Sequence, residues 1–183
     1  MTVKECILAT AAKVGVLDEV QKYFNGTDST GENTANVLLQ CFNLVQNELA
    51  LDYLPLIRED EVYVSTGVVQ FSALTKSPVR IVDVTDGKGE SVEYSVFPEY
   101  VKAQPGKLKI VYTYIPEDKE FNNEAEAAAQ ASTRLFSYGM AVEYCLANGL
   151  FEEANVWDKK YRDAIRAAYR IKPCKVIQSR RWV

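Results

Sequence analysis

The chain has 183 residues, with 21 Lys+Arg against 25 Asp+Glu, a formal net charge of −4 and 48% hydrophobic residues. That composition fills one ordinary domain, with room for an insertion, and excludes a disordered or fibrous chain. Nucleic acid is not expected as the main partner of so acidic a chain. The absence of His excludes His-based triads, His-ligated zinc and imidazole acid/base catalysis.

The hydrophobic period divides the chain into helices, then strands, then helices. Val3, Ile7, Ala11 and Val14 recur at helical spacing, and Gly15 interrupts them before a short second segment from Val16 to Phe24. Asn25 to Gly31 reads as a loop, so the sequon Asn25-Gly26-Thr27 is expected to be a turn. From about Thr34 the stripe Val37, Leu38, Cys41, Phe42, Leu44, Val45 and Leu49 predicts a core helix with a wide apolar face, ending before Pro55.

Between Glu61 and Ile115 the period changes to two, in runs around Val62–Val64, Val92–Val96 and Leu108–Tyr114. A small antiparallel sheet is the simplest account. Asp86-Gly87-Lys88-Gly89 is expected to reverse a hairpin between the runs Val79–Val84 and Ser91–Val96, and Pro105-Gly106 marks the next reversal.

After the connector Glu117-Asp118-Lys119-Glu120, two further helices are predicted. Ala128, Ala131, Leu135, Tyr138, Val142 and Cys145 form one three-four seam; Ala154, Trp157, Tyr161, Ala164, Ala168 and Ile171 form the other. Asn148-Gly149 separates them, so they should fold back as an antiparallel hairpin. Leu135, Tyr138, Val142, Trp157 and Tyr161 are the expected packing residues, with Trp157 and Tyr161 supplying most of the buried area. Pro173 ends the second helix and leaves a tail.

The fold expected is thus α+β, mainly α: a helical bundle with a long C-terminal helical hairpin, an inserted small antiparallel β-domain and an extended C-terminal tail. Residues 1–55 and 117–171 make the helical domain, 56–116 the insert and 172–183 the tail.

No reaction is expected of these residues, and no cofactor or metal. Cys6, Cys41, Cys145 and Cys174 are widely spaced, form no Cys-x-x-Cys pair and read as free thiols in a reducing, cytoplasmic setting. No run reaches the roughly 20 apolar residues of a membrane span, and the N-terminus does not read as a signal peptide. Asp83 to Glu90 lacks the alternate ligands and terminal acid of a calcium loop. Gly87-Lys88-Gly89 lacks the Ser or Thr of a phosphate loop. Glu48 and Asp52 stand one helical turn apart but are expected to be a solvated polar face, and Asp158, Arg162 and Arg166 to be exposed ion pairs. The tail carries Lys172, Lys175, Arg180 and Arg181 without an acid, beside the apolar Val176, Ile177, Trp182 and Val183. Burial of those four side chains cannot offset the fixing of its backbone, so it is expected to order only by docking on a partner.

The sequence resembles the head-to-tail connectors of tailed bacteriophages, also called portal adaptors or DNA-packaging connectors. The likeness rests on the alanine-rich stretch from Asn123, the junction Gly149-Leu150-Phe151-Glu152-Glu153-Ala154 and the Trp157-x3-Tyr161 helix. It extends to Pro78-Val79-Arg80-Ile81-Val82-Asp83-Val84, then Gly89, Val92-x-Tyr94, Gly106 and Val111-Tyr112-Thr113-Tyr114-Ile115-Pro116, which look like the β-domain of longer members. The resemblance implies a structural protein of the virion neck, assembled in the host cytoplasm without a membrane. It would form a homo-oligomeric ring, usually a dodecamer, beneath the portal protein. It would help retain DNA, which passes without sequence-specific binding, and would offer a surface to a downstream tail or stopper protein. Lys175, Ile177, Arg180, Arg181 and Trp182 would dock on the portal or a neighbouring subunit. A small-molecule or regulatory binding module, or another neck protein such as a stopper or tail-completion protein, is the alternative.

Overall fold

A computed structural model describes residues 1–170 and shows a mixed α/β chain. Among the described residues its helices are α1 (Val3–Val14), α2 (Leu17–Phe24), α3 (Glu32–Glu48), α4 (Thr133–Ala147) and α5 (Phe151–Arg170). Its strands are β1 (Leu56–Val64), β2 (Val68–Gln70), β3 (Pro78–Asp86), β4 (Ser95–Val96), β5 (Tyr100–Lys102) and β6 (Gly106–Tyr114). The tail residues Lys175, Ile177, Arg180, Arg181 and Trp182 lie outside the described residues.

Local chemistry sets the helix limits. Thr2 and Glu5 close a capping box at the start of α1: Glu5 N–H donates to Thr2 Oγ1 at 3.2 Å and Thr2 N–H to Glu5 Oε2 at 2.8 Å. Gly15 ends the helix with a φ of 81°, which a side chain would oppose. On α3 the buried residues Ala35, Leu38, Cys41, Phe42 and Val45 keep helical spacing, whereas Leu44 is exposed, so the apolar face is narrower than the sequence suggests. A π-helical turn, Leu49–Tyr53, ends this helix before Pro55.

The helices share one core, with Phe42 of α3 stacked on Phe136 of α4 at a centroid separation of 5.0 Å. Helices α4 and α5 pack on one another across the short link Asn148–Leu150. Gly139 makes the close approach possible: a Cβ there would lie 2.9 Å from both Tyr161 and Val45. Two details of the expected seams change. The alanine-rich segment that includes Ala128 and Ala131 is not helical; α4 starts only after Ser132, whose hydroxyl caps Leu135 N–H at 3.3 Å. Trp157 is half-buried at the edge of the seam, and the fully buried positions of α5 are Ala154, Tyr161, Ile165 and Ala168.

The strands form two three-stranded antiparallel sheets, ordered β1-β6-β3 and β2-β5-β4, where one sheet was expected. Both contribute to a second core that includes Val69, Ile81, Val84, Val101, Leu108, Ile110 and Tyr112. The Asp86 turn forms, with Asp86 Oδ1 accepting from Lys88 N–H at 2.8 Å and Glu90 N–H at 2.9 Å. The strand expected after it begins on the open edge of β3, with a bridge from Ser91 to Thr85 and Val92 N–H donating to the Val84 carbonyl at 2.9 Å, but goes no further there; β4 pairs with β5 in the other sheet instead. Leu56 at the start of β1 pairs with Tyr114 at the end of β6, so the chain enters and leaves this sheet at neighbouring points.

Candidate functional site

Helix α5 presents two unlike flanks on either side of its buried seam. At 100° per residue, Val156, Lys160, Asp163 and Ala167 fall on one flank and Phe151, Asp158, Arg162 and Tyr169 on the other.

On the first flank the side chains form a basic–aromatic cluster. The rings of Tyr138 and Trp157 lie 5.8 Å apart, Lys160 Nζ sits 4.2 Å from the Trp157 ring centroid, and the Arg134 guanidinium and Lys13 Nζ sit 5.4 and 5.7 Å from that of Tyr138. Arg134 Nε also donates to Tyr138 Oη at 3.0 Å, and Lys13 Nζ to the Ala9 carbonyl at 2.9 Å. Burial depresses the Lys13 pKa, and the charges of Arg134 and Lys160 add to that depression. A shallow cavity of about 380 Å³ opens here between Arg134 and Tyr138 of α4 and Lys160 and Ala167 of α5.

The opposite flank faces a wider groove of about 670 Å³, between the end of α3, α4 and α5. Its carboxylates are Glu48, Asp52, Glu143 and Asp158, its cations are Arg162 and Arg166, and its apolar lining includes Tyr53, Val142 and Ile165. Asp158 pairs with Arg162 at 2.9 Å, whereas Arg166 pairs outside the groove with Asp163 at 3.3 Å. Glu48 is half-buried, contrary to the solvated face expected of it, and accepts a hydrogen bond from Tyr161 Oη at 3.0 Å. Burial raises the Glu48 pKa, and the charges of Glu143, Asp52 and Asp158 raise it further against the opposing Tyr161 bond. Asp52 is exposed.

A third polar cluster fastens the helical and sheet parts together. Asn43 of α3 receives Lys119 N–H on its Oδ1 at 2.8 Å and donates through Nδ2 to the Lys119 carbonyl at 3.2 Å. Gln46 accepts from Glu126 N–H at 3.1 Å; Glu126 in turn accepts from Tyr114 Oη of β6 at 2.9 Å and from Lys119 Nζ at 2.7 Å. Two α3 amides thus hold the backbone that leads out of the sheet, and satisfy its groups in place of a regular element.

Of the expected packing residues, Leu135 and Tyr161 are buried and Val142 is half-buried. Tyr138 and Trp157, each half-buried, also belong to the cluster of cations. Periodicity gives no sign of Lys13, which reaches the cluster from α1, nor of Glu143 in the groove. Lys160 and Arg134 do carry a local signal, since Trp157–Lys160 and Arg134–Tyr138 stand three and four apart. Cys6, Cys41 and Cys145 are buried free thiols, and burial pushes Cys6 and Cys41 up to about 12, far from thiolate reactivity. Among the described residues no group of three or more His, Cys, Asp and Glu side chains is arranged to hold a metal ion, and no helix is long and apolar enough to cross a membrane. Neither a protein-family model nor a curated protein sequence matches the chain.

Proposed function

We propose that this chain is a structural neck protein of a tailed bacteriophage, a head-to-tail adaptor that forms a ring under the portal and links it to tail components. In this reading the helices make one bundle with α4 and α5 as its long hairpin, and residues 56–116 are an inserted β-domain. The ring, which in the connectors it resembles is usually a dodecamer, sits in the virion neck, lines the path of DNA without reading its sequence, and turns nothing over. Residues 172–183 dock on the portal or a neighbouring subunit, with Arg180 and Arg181 pairing to carboxylates and Trp182 filling a pocket.

The observation that carries this reading is the division into two cores held by a polar clasp: a helical platform and a sheet unit whose entry and exit strands adjoin. That arrangement fits the resemblance of the helical stretch to the connectors and of residues 78–116 to their β-domain. A platform fixed to a second unit at Asn43 and Gln46 can hold a set spacing between the components above and below it.

Electron-micrograph class averages of necks from the phage that encodes the chain test this reading. The expected result is a ring of density directly beneath the portal, absent from particles made without the chain. A complete neck in particles lacking the chain contradicts it.

A further inference from the structure

The two flanks of α5 differ in charge. One is a shallow basic–aromatic surface and the other an acidic groove with an apolar lining. Each also carries an exposed large apolar side chain, Val156 at 53% and Phe151 at 64% exposure. Among the described residues of a copy the only ion pair between the two flanks is Arg166–Asp163, across the exposed side of α5, and it leaves Arg134 and Lys160 on one flank and Glu48, Asp52 and Glu143 on the other without an ion-pair partner among those residues.

We propose that a second copy of this chain seats its basic–aromatic flank, through Arg134, Trp157 and Lys160, in the acidic groove formed by Glu48, Asp52 and Glu143. The contact is head-to-tail. Because the two surfaces are different patches on opposite sides of one helix pair, each added copy leaves the same two patches open at its ends. A constant rotation per copy closes a ring where it divides a full turn without a rise and otherwise gives an open filament, whereas a two-fold dimer would set like charge against like. Complementary charge fixes the order of the flanks and speeds their encounter. Arg162 and Arg166 in the groove and Asp163 on the basic flank reduce the contrast without reversing it: Arg162 is taken by Asp158, and Arg166 and Asp163 by one another. In giving the ring its interface, this contact rests on the adaptor reading.

Two variants of the full chain test it: Arg134→Ser with Lys160→Ser, which disarms the basic flank, and Asp52→Asn with Glu143→Gln, which disarms the groove. Circular dichroism checks that both fold, and sedimentation reads association at low salt from micromolar to millimolar chain. The parent should associate beyond two copies, and each variant should associate about tenfold more weakly, a loss of roughly one decade in affinity. Mixed together at a concentration where neither variant associates alone, the variants should form complexes of two copies and no more, since each retains the surface the other lacks. A third variant, Glu61→Gln with Lys107→Ser on the sheet, should associate like the parent. A parent that stays monomeric throughout, disarmed variants that associate like the parent, or a mixture that does not pair would each overturn the proposal. Association through these flanks by a chain that ignores portal rings would sink the adaptor reading and leave the interface standing; portal binding with unaltered association of the variants would do the reverse.

Discussion

The helical and sheet parts close their cores by different means. The helical core is a matter of fit: Phe42 stacks on Phe136, and Gly139 lets Tyr161 and Val45 approach a bare backbone. In the sheet unit the apolar layer is supplemented by a charged tie, in which Asp60 accepts from Tyr112 Oη and Thr75 N–H, each at 2.7 Å, and from Arg58 Nε at 3.0 Å. Burial alone would push the Asp60 carboxyl up, but these hydrogen bonds outweigh it and hold its pKa at about 2. One part is therefore vulnerable to lost volume, the other to lost charge.

The contrast breaks first at Phe136. Phe136→Ala removes a ring from the centre of the helical core and should cost about 3–5 kcal/mol, read by urea denaturation of the helical circular-dichroism signal. Protection of the β6 amides from hydrogen exchange should fall far less than that of α3 and α4. Equal loss in both would mean that the two cores unfold as one.

Asp60→Asn should cost about 1–3 kcal/mol in the sheet, because Arg58 loses its carboxylate and Tyr112 and Thr75 keep a weaker acceptor. The effect has a pH signature. A carboxyl whose folded pKa is depressed stabilises the fold above its unfolded pKa, and that stability is lost as pH falls. For Asp60 the window runs from about 4 down to about 2, and β6 amide protection should decline across it in the parent but not in the variant.

Trp157→Ala sharpens the description of the helix pair. With Trp157 half-buried at the seam edge, its loss should cost about 1–2 kcal/mol, less than Tyr161→Ala. A cost above that of Tyr161→Ala would put Trp157 back at the centre of the packing.

The smallest effect is expected at Glu48. Its pKa is raised in the fold, so the folded state binds its proton more tightly than the unfolded one. Stability then falls as pH rises from the ordinary carboxylate value through the raised one. Glu48→Gln should leave stability close to that of the parent and flatten that fall. A steeper fall in the variant would show that Glu48 is stabilised as an anion.

What the sequence makes legible is local. Val3, Ile7 and Ala11, or Leu38 to Val45, announce their helices because periodicity acts within a few residues. The alanine-rich stretch before α4 is misread for the opposite reason. Its propensity is helical, but Ala125 N–H bonds to the Met1 carbonyl and Glu126 N–H to Gln46 Oε1, partners more than 70 residues away in the chain. The strand expected after the Asp86 turn fails similarly, since the turn is local but the pairing of β4 with β5 in a second sheet is not. Spacing places Trp157 on a seam yet cannot separate its edge from its centre, a difference of one 40–50° step around the helix. The two flanks of α5 become legible only when Lys13 from α1 and Glu48 from α3 are brought against it.

The adaptor reading is tested most directly by titrating purified portal rings, taken from the phage that this reading supposes to encode the chain, with the full chain and with a chain lacking Gln178–Val183. The full chain should saturate the portal as a ring of equal symmetry, and the shortened chain should keep its thermal midpoint but fail to attach stably. Failure of the full chain to bind the portal would contradict the account, and unchanged attachment of the shortened chain would remove the docking role from the tail.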